Sequence, residues 1–112
     1  MKQEIERIDE LYILLSELLG KDTSTEERMR DWYVDARHTQ ERLTATGGLG
    51  PVVPELIWHY LADADIRAKD PIYRDHQEAF MRAFLVLLKT GEVPGEERIR
   101  ACLEESSSNS TS

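Results

Sequence analysis

The chain has 112 residues, 32% charged and 40% hydrophobic, with 14 Lys plus Arg against 22 Asp plus Glu and a formal net charge of −8. That length and balance suit one globular domain with a modest core, not a disordered chain. The acidic excess works against binding to nucleic-acid phosphate or anionic lipid and favours a protein partner with a basic surface.

The opening "MKQEIERIDE" is too charged for a secretory signal. The richest apolar run, "LYILLSELL", contains Ser16 and Glu17 and falls far short of the ~20 apolar residues of a membrane span. It belongs instead to a first helix predicted over 2–19. Ile5, Ile8, Tyr12, Leu15 and Leu19 recur there at spacings of three and four and make one apolar stripe. Gly20 follows as a natural left-handed stop.

A second helix is predicted from "DTSTEE", with Ser24 and Glu27 as a capping box and Thr23 with Glu26 as an alternative register. Met29, Trp32, Tyr33, Ala36 and Leu43 mark its inner face, and the glycines of "TGGLGP" end it near Ala45. A third helix opens at Pro54 and runs to just before Pro71. It is apolar nearly all round through Leu56, Ile57, Trp58, Tyr60, Leu61 and Ala64, which marks it as the most central helix.

Asp70 is expected to cap a fourth helix with Pro71 at its first position and an inward stripe of Ile72, His76, Phe80, Ala83 and Leu87. "KTGEVPG" ends it. A short fifth helix over 96–104 carries Ile99 and Leu103, and a disordered Ser-rich tail occupies 106–112. The expected fold is therefore all-α: one domain over 1–105, a compact bundle of four main helices plus a short C-terminal helix.

"YLADADIRAKDPIYRDH" is the one stretch that raises a question of chemistry. Asp63 and Asp65 imitate the start of a calcium loop, but Arg67, Ala68 and Arg74 stand where an EF-hand needs an oxygen ligand, a glycine and a glutamate. A transition-metal site is the other reading. Glu55, His59 and Asp63 are spaced i, i+4, i+8, and a fold-back at Pro71 would bring His59, Asp63 and His76 together as ligands. The plainer reading makes Glu55, His59 and Asp63 a solvated edge and His76 a partly buried histidine. Asp31, Asp35, His38 and Arg42 share an off-stripe face of the second helix, as exposed ion pairs. "TGGLGP" lacks the Lys-Ser/Thr ending and preceding strand of a phosphate loop.

Cysteine occurs once, at Cys102, which excludes an internal disulfide and a multi-cysteine zinc site and agrees with a cytoplasmic location. No nucleophile with a base beside it is recognisable, and no cofactor is expected. The expected function is a non-enzymatic protein–protein interaction module such as an adaptor, an inhibitor or an immunity-type protein. Glu55, Trp58, His59 and Asp63 are its candidate partner contacts. The alternative is a small metal- or ligand-binding helical protein using His59, Asp63 and His76. Ile13 and Leu14, flanking the first stripe, together with Trp58, add surplus apolar surface that a homodimer could bury.

Overall fold

The computed structural model describes residues 7–45 and 49–110. Helix α1 (Ile8–Gly20) buries Leu11, Leu15 and Leu18, whereas Ile8, Tyr12 and Leu19 of the expected stripe are only half-buried, so the inward line is turned by about one position from the one expected. Its predicted beginning, with Ile5, lies outside the described residues. Gly20 is the last helical residue, not a left-handed stop. The chain turns extended at Lys21, whose N–H bonds the Leu18 carbonyl. Trp32, buried on the next helix, donates its Nε1–H to the same carbonyl at 2.9 Å. That closes the end of α1 from outside the helix, so no left-handed residue is needed.

Helix α2 spans Glu26–Thr44. The cap predicted at Ser24 falls one residue later, and the reason is local. Asp22 accepts both the N–H and the hydroxyl of Ser24, so Thr25 takes over and accepts from the Arg28 N–H at 3.1 Å. The Ser24 bonds, with Arg28 behind them, hold the Asp22 carboxyl below its usual range. Within the linker, 46–48 lie outside the described residues. A 3-10 turn over Gly50–Val52 then packs on the end of α2, so closely that a Cβ on Gly50 would stand 1.9 Å from the Leu43 carbonyl oxygen.

The single third helix expected up to Pro71 is two helices, α3 (Glu55–Ala62) and α4 (Ala64–Lys69), broken at Asp63 with φ −113° and ψ 24°. Side chains from other elements hold the break. The Tyr33 hydroxyl of α2 accepts from the Asp65 N–H at 2.9 Å and donates to Asp65 Oδ1 at 2.8 Å. Arg67 Nη1 donates to the Tyr60 carbonyl at 2.7 Å, so a cation serves the C-terminal end of α3. Two backbone groups at the break, the Tyr60 carbonyl and the Asp65 N–H, are thus partnered.

Helix α5 (Pro71–Leu88) starts as predicted. Asp70 accepts from the N–H groups of Ile72 and Tyr73, with Pro71 first in the helix. It packs against α1, α3, α4 and α6, so α5, not the third predicted helix, is the hub of the fold. Its buried face is Phe80, Met81, Ala83, Phe84, Leu85 and Leu88. The first turns differ from the expected stripe, since Ile72 and His76 are exposed while Tyr73 and Gln77 turn toward α3 and α4. Gly91, at φ 96°, reverses the chain after α5.

Helix α6 runs over Glu96–Ser110 and seals the core with a fully buried Ile99. The expected stop near Glu104 is not where it ends, because no glycine or proline follows Gly95 to break it. Within the Ser-rich tail the helix persists to Ser110, and 111–112 lie outside the described residues. There is no strand among the described residues, and no helix is long and apolar enough to cross a membrane.

Candidate functional site

Arg67 is the most unusual side chain of the fold. It is charged yet only 8% exposed. The α3–α4 break turns it back over α3, where its guanidinium carbon sits 4.1 Å from the centre of the Tyr60 ring and 5.0 Å from that of Trp32. The two rings meet edge to face at 5.8 Å. Among the described residues no carboxylate pairs with Arg67, whose bonds go to the Tyr60 carbonyl and Gln77. Its charge is answered instead through a chain of neutral groups. Nη1 donates to Gln77 Oε1 at 2.6 Å, Gln77 Nε2 donates to the Tyr73 hydroxyl at 2.8 Å, and that hydroxyl donates to Asp63 Oδ2 at 2.5 Å. Every donor meets an acceptor in one direction, and such a chain polarises toward the carboxylate.

The electrostatics follow this geometry. Burial pulls the Arg67 guanidinium below its ordinary pKa, and the neighbouring Tyr60, Tyr33 and Asp63 oppose that. Burial pushes Tyr60 up to about 12. The hydrogen bond to Asp63 raises Tyr73, and the bond from Tyr33 lowers Asp65.

Two concavities flank this network. On one side lies a polar cavity of about 420 Å³ between the α1–α2 turn and helices α2 to α5, with Arg67, Trp32 and Tyr60 in its wall. On the other lies a mostly apolar groove of about 410 Å³ between α3, α5 and α6, walled by Leu56, His76, Ala79, Phe80, Arg100 and Leu103. Tyr73 and Gln77 belong to the groove wall and to the network at once.

The residues singled out in the sequence are distributed as follows. Glu55 and His59 face each other on the exposed side of α3, Oε1 to Nε2 at 3.6 Å. Trp58 is half-buried and packs against the core. Asp63 is half-buried and engaged by Tyr73, with Gln77 at 3.4 Å. His76, expected on the inward face of α5, is exposed at the groove. No group of three or more His, Cys, Asp or Glu side chains able to hold a metal ion occurs among the described residues, so His59, Asp63 and His76 do not form one. On α2, Asp35 pairs with Lys21 just beyond α1, and Arg42 with Glu10 of α1.

Arg67, Tyr73 and Gln77 were missed in the sequence. A signal for Arg67 was present. Ile57, Tyr60, Ala64 and Arg67 continue one helical stripe at spacings of three, four and three, so the position is inward although the residue is a cation. Nothing comparable marks Tyr73 or Gln77, whose role depends on the angle between α4 and α5. Comparison with family models, with curated proteins and with solved structures gives no match.

Proposed function

We propose that this protein is a non-enzymatic protein–protein interaction module whose groove between α3, α5 and α6 receives an apolar side chain from a partner with basic flanks. The observation that carries the reading is the groove itself: an open, largely apolar recess of about 410 Å³ on a chain of net charge −8. Exposed Glu55, Asp75 and Glu104 adjoin the groove residues Leu56, His76 and Leu103 along the chain, and Arg100 in the groove wall is paired with Glu96. An apolar anchor inside an acidic rim is the arrangement that selects a basic partner, the anchor supplying affinity and the rim the association rate. Glu55 and His59, exposed beside Leu56 on α3, and Trp58 and Asp63 next to them, are the contacts proposed to extend the surface.

Affinity capture from the native host at low and moderate salt tests this, run in parallel with Ala79→Arg, which fills and charges the groove. The expected result is a basic partner retained at low salt, weakened at moderate salt and lost in the variant. Recovery of the same partner by Ala79→Arg, or of nothing but the chain itself, contradicts the proposal. Sedimentation equilibrium separates the remaining occupant, a second copy of the chain. Ile13, 55% exposed on α1, is the apolar residue such a dimer would cover.

A further inference from the structure

We propose that the polar cavity over Arg67 is a binding site for a small monocarboxylate, held side-on by the free edge of that guanidinium. The inference is independent of what occupies the groove. Arginine carries five N–H donors in a rigid planar fork. Nη1 is committed to the Tyr60 carbonyl and to Gln77, and this alone accounts for its part in closing α3. Nε and Nη2 have no acceptor among the described residues. Three charged N–H groups are thus free of protein acceptors among the described residues, on a residue only 8% exposed.

Those donors are not sealed in. Among the described residues the fully enclosed side-chain polar atom lacking a hydrogen bond is Glu10 Oε1, and Arg42 forms an ion pair with it. The open edge of Arg67 therefore reaches solvent, and the space that Arg67 lines is the cavity. The Tyr60 and Trp32 rings fix the plane of the guanidinium, so the Nε–Nη2 edge is presented in one orientation. Two parallel N–H groups in a fixed plane match the two oxygens of a carboxylate. A volume of about 420 Å³ suits a small molecule.

The rest of the wall sets the charge of the ligand. Lys21 and Arg74 also line the cavity, but Lys21 is paired with Asp35 and Arg74 with Asp75. Glu78 stands in the same wall, as does Asp22, which is paired with Arg28. With Arg67 opposite Glu78 a single negative charge is admissible, whereas a phosphate dianion meets repulsion that Arg67 alone does not offset.

The test is the Arg67 Nε–H resonance in proton–nitrogen spectra of the full chain, titrated with sodium acetate and sodium benzoate at constant ionic strength maintained with sodium chloride. A carboxylate bound side-on moves that resonance saturably, and chloride does not. Inorganic phosphate binds more weakly than the carboxylates. Arg67→Lys, which keeps the charge and loses the fork, weakens binding by about tenfold or more. Ala68→Phe places a ring on the cavity wall at an exposed position and abolishes the shift with the fold intact, so the proposal stays testable where Arg67 variants fail to fold. Three results overturn it: no saturable shift up to about 50 mM carboxylate, tighter binding of phosphate, or a shift that survives Ala68→Phe.

Discussion

Gly50→Ala examines how the chain turns from α2 into the α3 region that carries the site. In the native fold an added Cβ would stand 1.9 Å from the Leu43 carbonyl oxygen and 2.8 Å from its carbon. Both are backbone atoms, so no flexible side chain can swing aside. Leu43 is itself fully buried, and shifting the last turn of α2 by roughly an ångström opens the core around it. Forced overpacking of this kind costs about 1–3 kcal/mol. Alanine returns about 0.4–1 kcal/mol by restricting the unfolded chain. The net expectation is a loss of about 1–2 kcal/mol, which lowers the midpoint of a domain this size by roughly 5–15 °C. Urea and thermal unfolding followed by helical circular dichroism measure it, with an unchanged urea slope showing that stability alone has moved. Gly20→Ala is the control, since Gly20 is helical and nothing stands within 4 Å of its added Cβ. That variant is expected to be neutral or slightly stabilising. A Gly50→Ala protein as stable as the parent refutes the close approach and the path of the chain drawn from it.

Trp32→Phe removes the Nε1 bond to the Leu18 carbonyl, which keeps a weaker bond from the Lys21 N–H at 3.3 Å. The expected cost is about 1–2 kcal/mol in urea unfolding, and a loss below about half a kcal/mol would contradict that role. Tyr60 titrates at about 12 in the folded chain against about 10 when unfolded. Its neutral form therefore favours the fold: the contribution is complete below pH 10 and is lost as pH rises through 12, about 3 kcal/mol in all. Tyr60→Phe should flatten most of that decline in unfolding free energy, whereas an unchanged decline assigns it to other groups. Asp70→Ala removes the acceptor for the Ile72 and Tyr73 N–H groups and should cost about 1 kcal/mol. Hydrogen exchange at those two amides should accelerate, and unaltered rates would show that the cap is dispensable.

The site was only partly legible beforehand. The "YLADADIRAKDPIYRDH" stretch does contain the central residues, Tyr60, Asp63, Arg67 and Tyr73. Their relation was hidden because α3 and α4 read as one helix. In a continuous helix Arg67 stays one turn beyond Asp63, and no hydrogen bond to the Tyr60 carbonyl is available to it. The break depends on the Tyr33 hydroxyl, which is 32 positions from Asp65 along the chain. Local propensity carries no record of such a partner.

The amino-acid sequence by itself determined the helical class, the inner face of α2 and the Asp70–Pro71 start of α5. Each is a matter of neighbours within one or two turns, where periodicity, fixed proline geometry and side-chain capping act over a few residues. Tertiary structure alone decided which helix is the hub, which side of α5 faces inward at its first turns, and where the polar groups close. Tyr73 and Gln77 turn in because Asp63 and Arg67 wait there, and His76 is turned out by the same rotation. Those choices depend on contacts between residues remote in sequence, set by the angles at which packed helices cross.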